Sequence, residues 1–287
     1  MSVAEVRADQ TRLQSVRRGR ISGSELKVAV GVTYLAVLLL AAFVAPLPHS
    51  PTATYPQAVL LPPSTSHWLG TDSVGTDVFS RAIKAAAVDL PLALAGTLAA
   101  LLVGVPLGVS LSASGRWGER GMRLVDCFQA LPLLILILAL VALSNNQLWV
   151  IVVAVAIYGG PVYIRLVRSQ VLSLREARFI EAAAAAGASP YRIMRRHLLP
   201  NVRDIVLAQT SLVAAGALLG IAALSFLGIG VQPPTPSWGS MISLGAPALV
   251  QGQWWPVVGP GAAIFSCIVA FNVVADGLRE LGEDGAP

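Results

Sequence analysis

Apolar residues run almost unbroken over six stretches of the chain, about 28–46, 89–113, 124–144, 148–164, 205–230 and 254–275, with the polar residues gathered between them. Several stretches approach the ~20 residues at which an α-helix crosses a ~30 Å hydrocarbon core, so the pattern predicts an all-α, polytopic membrane protein with six transmembrane helices. The fourth stretch is the shortest. Gly104 and Gly108 in the second and Gly216 and Gly220 in the fifth recur at helical spacing, which lets neighbouring helices approach closely. Pro106 and the run Gly159-Gly160-Pro161 weaken the local helix, either as hinges or as relief of packing.

Between the first two spans lies an outside segment, 47–88, that starts rich in Pro, Ser and Thr. It closes on HWLGTDSVGTDVFSRAIKAA, which reads as a turn feeding an interfacial helix. Asp89, directly before Leu90-Pro91, reads as the N-cap of the span that follows. A second outside segment, 231–253, also opens with prolines. Trp68, Trp149, Trp238, Trp254 and Trp255 fall at or beyond outer span ends, where indoles favour the interface, with substrate stacking as the alternative. Inside the spans, Gln209, Asn272 and Asp276 are placed to face a cavity or to hydrogen-bond a neighbouring helix.

The most distinctive polar segment is 165–204, and within it EAAAAAGASPYRIMRRHLLP at 181–200. Ala182–Ala186 give a helix a smooth face, and Gly187 can take the left-handed conformation that ends it. Ser189-Pro190 is an N-cap and first-turn pair, so a second helix is expected from there to about Leu199, before Pro200.

Composition agrees with the pattern: 55% of the 287 residues are hydrophobic and 12% charged. With the N-terminus in the cytoplasm, eighteen of the twenty Lys and Arg fall inside and only Arg81 and Lys84 outside. That asymmetry sets the orientation. It divides the chain into a cytoplasmic tail 1–27, a membrane domain 28–275 and a cytoplasmic tail 276–287, and it makes the basic pI a sign of topology, not of nucleic-acid binding. The first span is too long for a cleaved signal core and reads as an uncleaved signal-anchor.

Chemistry is conspicuous by exclusion. No Gly-rich loop leads into Lys and Ser/Thr, so the chain has no P-loop for nucleotide. No mid-membrane acidic pair or His cluster suggests an ion relay, which counts against a stand-alone secondary transporter. His49 and His67 are assigned outside and His197 inside, in different segments, and the reading assigns no metal site. Cys127 and Cys267 read as small buried residues within spans.

The 181–200 segment resembles the EAA loop of bacterial ABC importer permeases, a pattern of E-A-A, three residues, G, nine residues, I, one residue and L-P. Glu181, Ala182, Ala183, Gly187, Leu199 and Pro200 fall on it, and His197 takes the Ile position. That departure is similar to the dipeptide/oligopeptide branch. HWLGTDSVGTDVFSR at 67–81, SFLGIGVQPPTPSWGSM at 225–241 and AFNVVADGLRE at 270–280 resemble the C-type subunit of that branch. Thr76 and Ala87 stand where that branch commonly has Arg.

The resemblance implies a type I importer permease fold in the bacterial cytoplasmic (inner) membrane. It implies a heterodimer with a second permease subunit, two ABC ATPase subunits that carry the ATP and Mg, and an extracytoplasmic substrate-binding lipoprotein. Glu181, Ala182, Ala183, Gly187, Ala188, Ser189, Pro190, Leu199 and Pro200 would couple to an ATPase. Thr71, Asp72, Asp77, Pro234 and Trp238 would dock the binding protein, or their loops would only cap the bundle, and Gln209 and Asn272 would line the path. The chain itself would bind no cofactor and catalyse no reaction. Di- or oligopeptides are the expected cargo, with nickel chelates, glutathione or another small solute as the alternative.

Overall fold

Among the described residues the apolar stretches form helices, because a chain in hydrocarbon must satisfy its backbone hydrogen bonds internally. The computed structural model describes residues 22–284 except 131, 133, 134, 136, 137, 141–143, 145 and 146. In chain order the helices are α1 (Gly23–Val44), α2 (Val78–Ala113), α3 (Arg116–Gln129), α4 (Leu148–Arg175), α5 (Arg178–Ala185), α6 (Pro190–Ile193), α7 (Leu199–Phe226), α8 (Trp238–Leu249) and α9 (Trp255–Asp284). Five helical segments among the described residues are long and apolar enough to cross a membrane: Gly23–Val44, Val78–Ala113, Leu148–Arg175, Tyr191–Phe226 and Trp255–Glu283. The third expected span, 124–144, starts within α3 and then falls largely outside the described residues.

Packing is set by the small residues. A Cβ on Gly104 would lie 2.7 Å from both the Gly160 oxygen and the Tyr163 Cβ, and one on Gly108 would lie 2.9 Å from the Ile164 oxygen, so α2 and α4 meet backbone to backbone. Gly31 plays the same part between α1 and α9, with Val274 Cγ2 only 2.6 Å from its absent Cβ. Around Gly216, by contrast, nothing lies within 4 Å. Gly104→Ala is therefore expected to destabilise by about 1–3 kcal/mol through overpacking, whereas Gly216→Ala leaves the chain's own fold unstrained. Thermal unfolding in detergent separates the two, and equal midpoints would refute the packing argument.

Among the described residues, two apolar cores stack along the bundle. One collects Leu90, Ile151, Leu218, Leu224 and Trp238. The other, formed by Tyr163, Val167, Val171 and Val202, extends to Ile180 and Leu198 in the polar segment.

Three expectations need correction here. The second span starts at Val78, not 89, because Asp77 caps it by accepting from the Ser80 N–H at 2.8 Å, so the expected interfacial helix is the first part of α2. Asp89 is consequently inside that helix. Pro91 is tolerated beside it because Ala86, Leu90 and Ala93 are buried against neighbours, and tertiary packing holds the interrupted turn. Finally, the helix that begins at Pro190 does not end at Pro200. It passes through a π-helical turn, Met194–Leu198, in which the Leu199 N–H reaches back to the Met194 carbonyl. Pro200 has no N–H for the carbonyl four residues earlier, and the widened turn accommodates that loss without breaking the helix.

Candidate functional site

The alanine segment hangs from the inner core by two side chains. Ile180 (7% exposed) and Leu198 (1%) pack with Val167 and Val171 of α4, while Glu181 and Ala182 between them face outward. α5 ends as its sequence requires: the Ala188 N–H bonds the Ala183 carbonyl at 3.0 Å and Gly187 has φ 80°. Ser189 Oγ then accepts from the Arg192 N–H at 3.3 Å, which starts the next helix. Among the described residues beyond its chain neighbours, none comes within 4 Å of where a Gly187 Cβ would stand, so its left-handed backbone, not crowding, makes glycine necessary.

Beside this turn, Tyr191, Arg192, Arg195 and Arg196 line a shallow cationic groove of ≈ 470 Å³. The surface thus offers a carboxylate at Glu181 and guanidinium groups nearby, a charge pattern suited to another macromolecule. Leu199 and Pro200 are exposed on the first turn of α7, whereas Ala183 and Ala188 are half-buried. His197, in the π-helical turn, lies 6.3 Å from the Phe179 ring and far along the chain from the other two histidines.

A cleft of ≈ 170 Å³ opens between α4 and α7, lined on one side by Val155, Tyr158 and Gly159 and on the other by Gln209, Leu212 and Gly216. Gln209 and the Gly216/Gly220 pair therefore border open space within this chain. Asn272 is elsewhere: it is exposed on α9, and its Nδ2 donates to the Ile268 carbonyl at 2.8 Å, one turn back on the same helix. The structure does not bring the two candidate path residues together. Tyr158 is the cleft residue that the sequence reading missed, because a tyrosine in an apolar run carries no sign of which face it occupies.

The loops at 47–77 and 231–237 are built on polar residues turned toward the protein. Asp72 Oδ1 accepts from the Val74 and Thr76 N–H groups at 3.0 and 2.9 Å, Thr76 Oγ1 donates to Asp72 Oδ2, and Thr71 Oγ1 accepts from the Leu61 N–H at 2.8 Å. Thr71, Asp72, Asp77 and Trp238 are all buried, and of the five docking candidates only Pro234 is exposed. Those four side chains shape the loops and have no free face for a partner. This corrects the expectation that these four side chains meet a partner directly. Thr76 is buried in the Asp72 turn, and Ala87 packs against the apolar core, so neither position offers a charge.

Asp89 is a cap, but of a different helix. From mid-α2 its Oδ2 accepts from the Trp238 N–H at 2.8 Å and from Ser237 Oγ at 3.2 Å, closing the N-terminus of α8. Trp238 is not an interfacial anchor: it is fully buried, with Nε1 donating to the Ala82 carbonyl at 2.8 Å. Trp255 also turns inward, donating to the Thr71 carbonyl at 3.1 Å, while Trp68, Trp149 and Trp254 stay exposed. Cys267 is buried as expected, but Cys127 is exposed on the polar helix α3.

A family model described as the binding-protein-dependent transport system inner membrane component matches residues 86–284. The dipeptide transport system permease protein DppC of Alkalihalophilus pseudofirmus is 38% identical over 254 residues, spanning 88% of this chain and 83% of that protein. DppC of Bacillus subtilis is 35% identical over 264 residues, 91% of this chain and 82% of that protein. The probable D,D-dipeptide transport system permease protein DdpC of Escherichia coli is 37% identical over 263 residues, 91% and 88% respectively. Among solved structures, an inward-facing form of the MetNI methionine ABC transporter matches with a TM-score of 0.54 at 16% identity, over 69% of this chain and 93% of that one, a likeness of fold. Five apolar helices of spanning length among the described residues and this extent of similarity together establish that the chain belongs to the family of binding-protein-dependent transport inner membrane components, the permease subunits of ABC importers.

Proposed function

We propose that this chain forms half of the translocation path of an ATP-driven importer for di- and oligopeptides, coupled to a cytoplasmic ATPase through the loop at 181–200. The observation that carries the proposal is the arrangement of that loop, with Glu181 and Ala182 outward and Ile180 and Leu198 buried against α4. A push on the exposed face is borne by the helices that line the cleft, so motion of a partner enters the bundle without first deforming a soft connection. A second permease subunit would close the cleft from its open side, a binding lipoprotein would deliver cargo at the outer loops, and ATP and Mg would act on the two ATPase subunits. The eighteen inward Lys and Arg support a cytoplasmic placement of both termini.

The lining of the cleft suits peptides in a limited sense: Tyr158 and Gln209 offer hydrogen bonds, and none of the described lining residues is charged. A path of this kind tolerates varied side chains and leaves selection to the delivering protein. The peptide names of the relatives in three bacteria support that cargo class over other solutes. The test is uptake of a labelled dipeptide by proteoliposomes holding the chain with its second permease subunit, ATPases and binding protein. Uptake that needs ATP and is unaffected by an excess of nickel chelate or glutathione is the expected result, and uptake without the ATPases would refute the coupling reading. In a Cys127→Ser background, Gln209→Cys is expected to react with a water-soluble thiol reagent at least tenfold faster in one nucleotide state than in the other. State-independent labelling would remove Gln209 from the path.

A further inference from the structure

Two histidines that the sequence keeps apart meet at the start of α2. His49, just beyond α1, and His67, in the following loop, stack with ring centroids 4.4 Å apart and an interplanar angle of 27°. Both present Nδ1 to one carboxylate oxygen, Asp77 Oδ1, at 3.8 Å from His49 and 2.8 Å from His67. The other oxygen of Asp77 is committed to the Ser80 N–H, so Oδ1 is the oxygen turned toward the two rings. His67 Nδ1 already has Asp77 as its partner, whereas His49 Nδ1 is buried and makes no hydrogen bond among the described residues.

We propose that His49, His67 and Asp77 form a binding site for a divalent transition metal of the zinc type on the outside loop. One ligand atom from each residue lies within 4.8 Å of the others. Tetrahedral coordination with bonds of ~2.0–2.1 Å sets ligand atoms about 3.3 Å apart, a spacing bracketed by the two Nδ1–Oδ1 separations. Two imidazoles and a carboxylate are the donors that borderline cations of this class prefer, and water would complete the shell. Asp77 and His67 have side chains only 3% and 13% exposed, which holds the donors in place, while His49 at 29% leaves an entry from solvent. The bound ion would give the buried His49 nitrogen a partner and tie the chain leaving α1 to the turn that begins α2.

The site is tested on the full, untagged chain in detergent, with Co²⁺ as a spectroscopic probe and Zn²⁺ as competitor. The expected result is saturable binding of one Co²⁺ per chain with visible ligand-field absorption, displaced by Zn²⁺, and a higher thermal midpoint when Zn²⁺ is present. His49→Gln retains the His67–Asp77 hydrogen bond, so it is expected to fold with an unchanged metal-free midpoint and to bind at least tenfold more weakly. Absence of saturable Co²⁺ binding, or equal binding by His49→Gln, would overturn the site.

Discussion

Gly187→Val is expected to reduce ATP-driven uptake at least tenfold in the reconstituted importer while the chain still inserts and assembles. Gly187 sits at φ 80°, where an L-residue carries about 1–2 kcal/mol of strain and a β-branched one more. That strain is relieved by giving up the turn, including the bond from the Ala188 N–H to the Ala183 carbonyl. A shift of 1–2 kcal/mol changes the population of the native turn roughly 5–30-fold, and the displaced α5 would present Glu181 at a different angle. Because no neighbour lies within 4 Å of the missing Cβ, the rest of the bundle does not sense the substitution. Asparagine tolerates the left-handed region, so Gly187→Asn is expected to retain more uptake than Gly187→Val. Uptake by Gly187→Val within twofold of the parent would sink the coupling assignment.

Trp238→Ala should produce the largest loss of stability of any single change at the outer end. Removing a fully buried indole costs about 3–5 kcal/mol, and the void would open between α2 and α8, which its Nε1 bond to Ala82 holds together. Trp238→Phe keeps most of the apolar volume and loses one hydrogen bond, so about 1 kcal/mol is expected. Asp89→Ala would act on the same joint by uncapping α8, and its effect should be non-additive with that of Trp238. Thermal unfolding followed by tryptophan fluorescence and size-exclusion checks the order Ala below Phe below parent. A Trp238→Ala midpoint equal to that of the parent would mean the indole is not a core residue.

Much of the helix content could be read directly from hydropathy, since few polar residues interrupt the spans and a membrane leaves the backbone few alternatives. The Gly187 turn was equally legible: Gly and Ser-Pro impose their conformations locally, and the structure shows both. Pro91 and Pro200 misled because a proline is a local argument against a helix, and here packing around Pro91 and the π-helical turn before Pro200 decided otherwise. The tryptophans misled for a related reason. Position near a span end says that an indole is close to the interface, but not whether its ring is exposed, as at Trp149, or enters the core, as at Trp238.

What depends on neighbours along the chain was legible in the sequence: apolar runs, the gathering of Lys and Arg between them, the Gly187 turn and the Ser189 cap. Tertiary structure alone decided what depends on residues distant in sequence. It joined Asp89 to Trp238 across 149 positions, hung the loop from Ile180 and Leu198, set Gln209 but not Asn272 on the cleft, and brought His49 beside His67. The physical reason is one of range. Backbone conformation answers to a few adjacent residues, whereas a buried polar atom or a large side chain must find its partner wherever helix packing brings one within hydrogen-bonding or van der Waals reach.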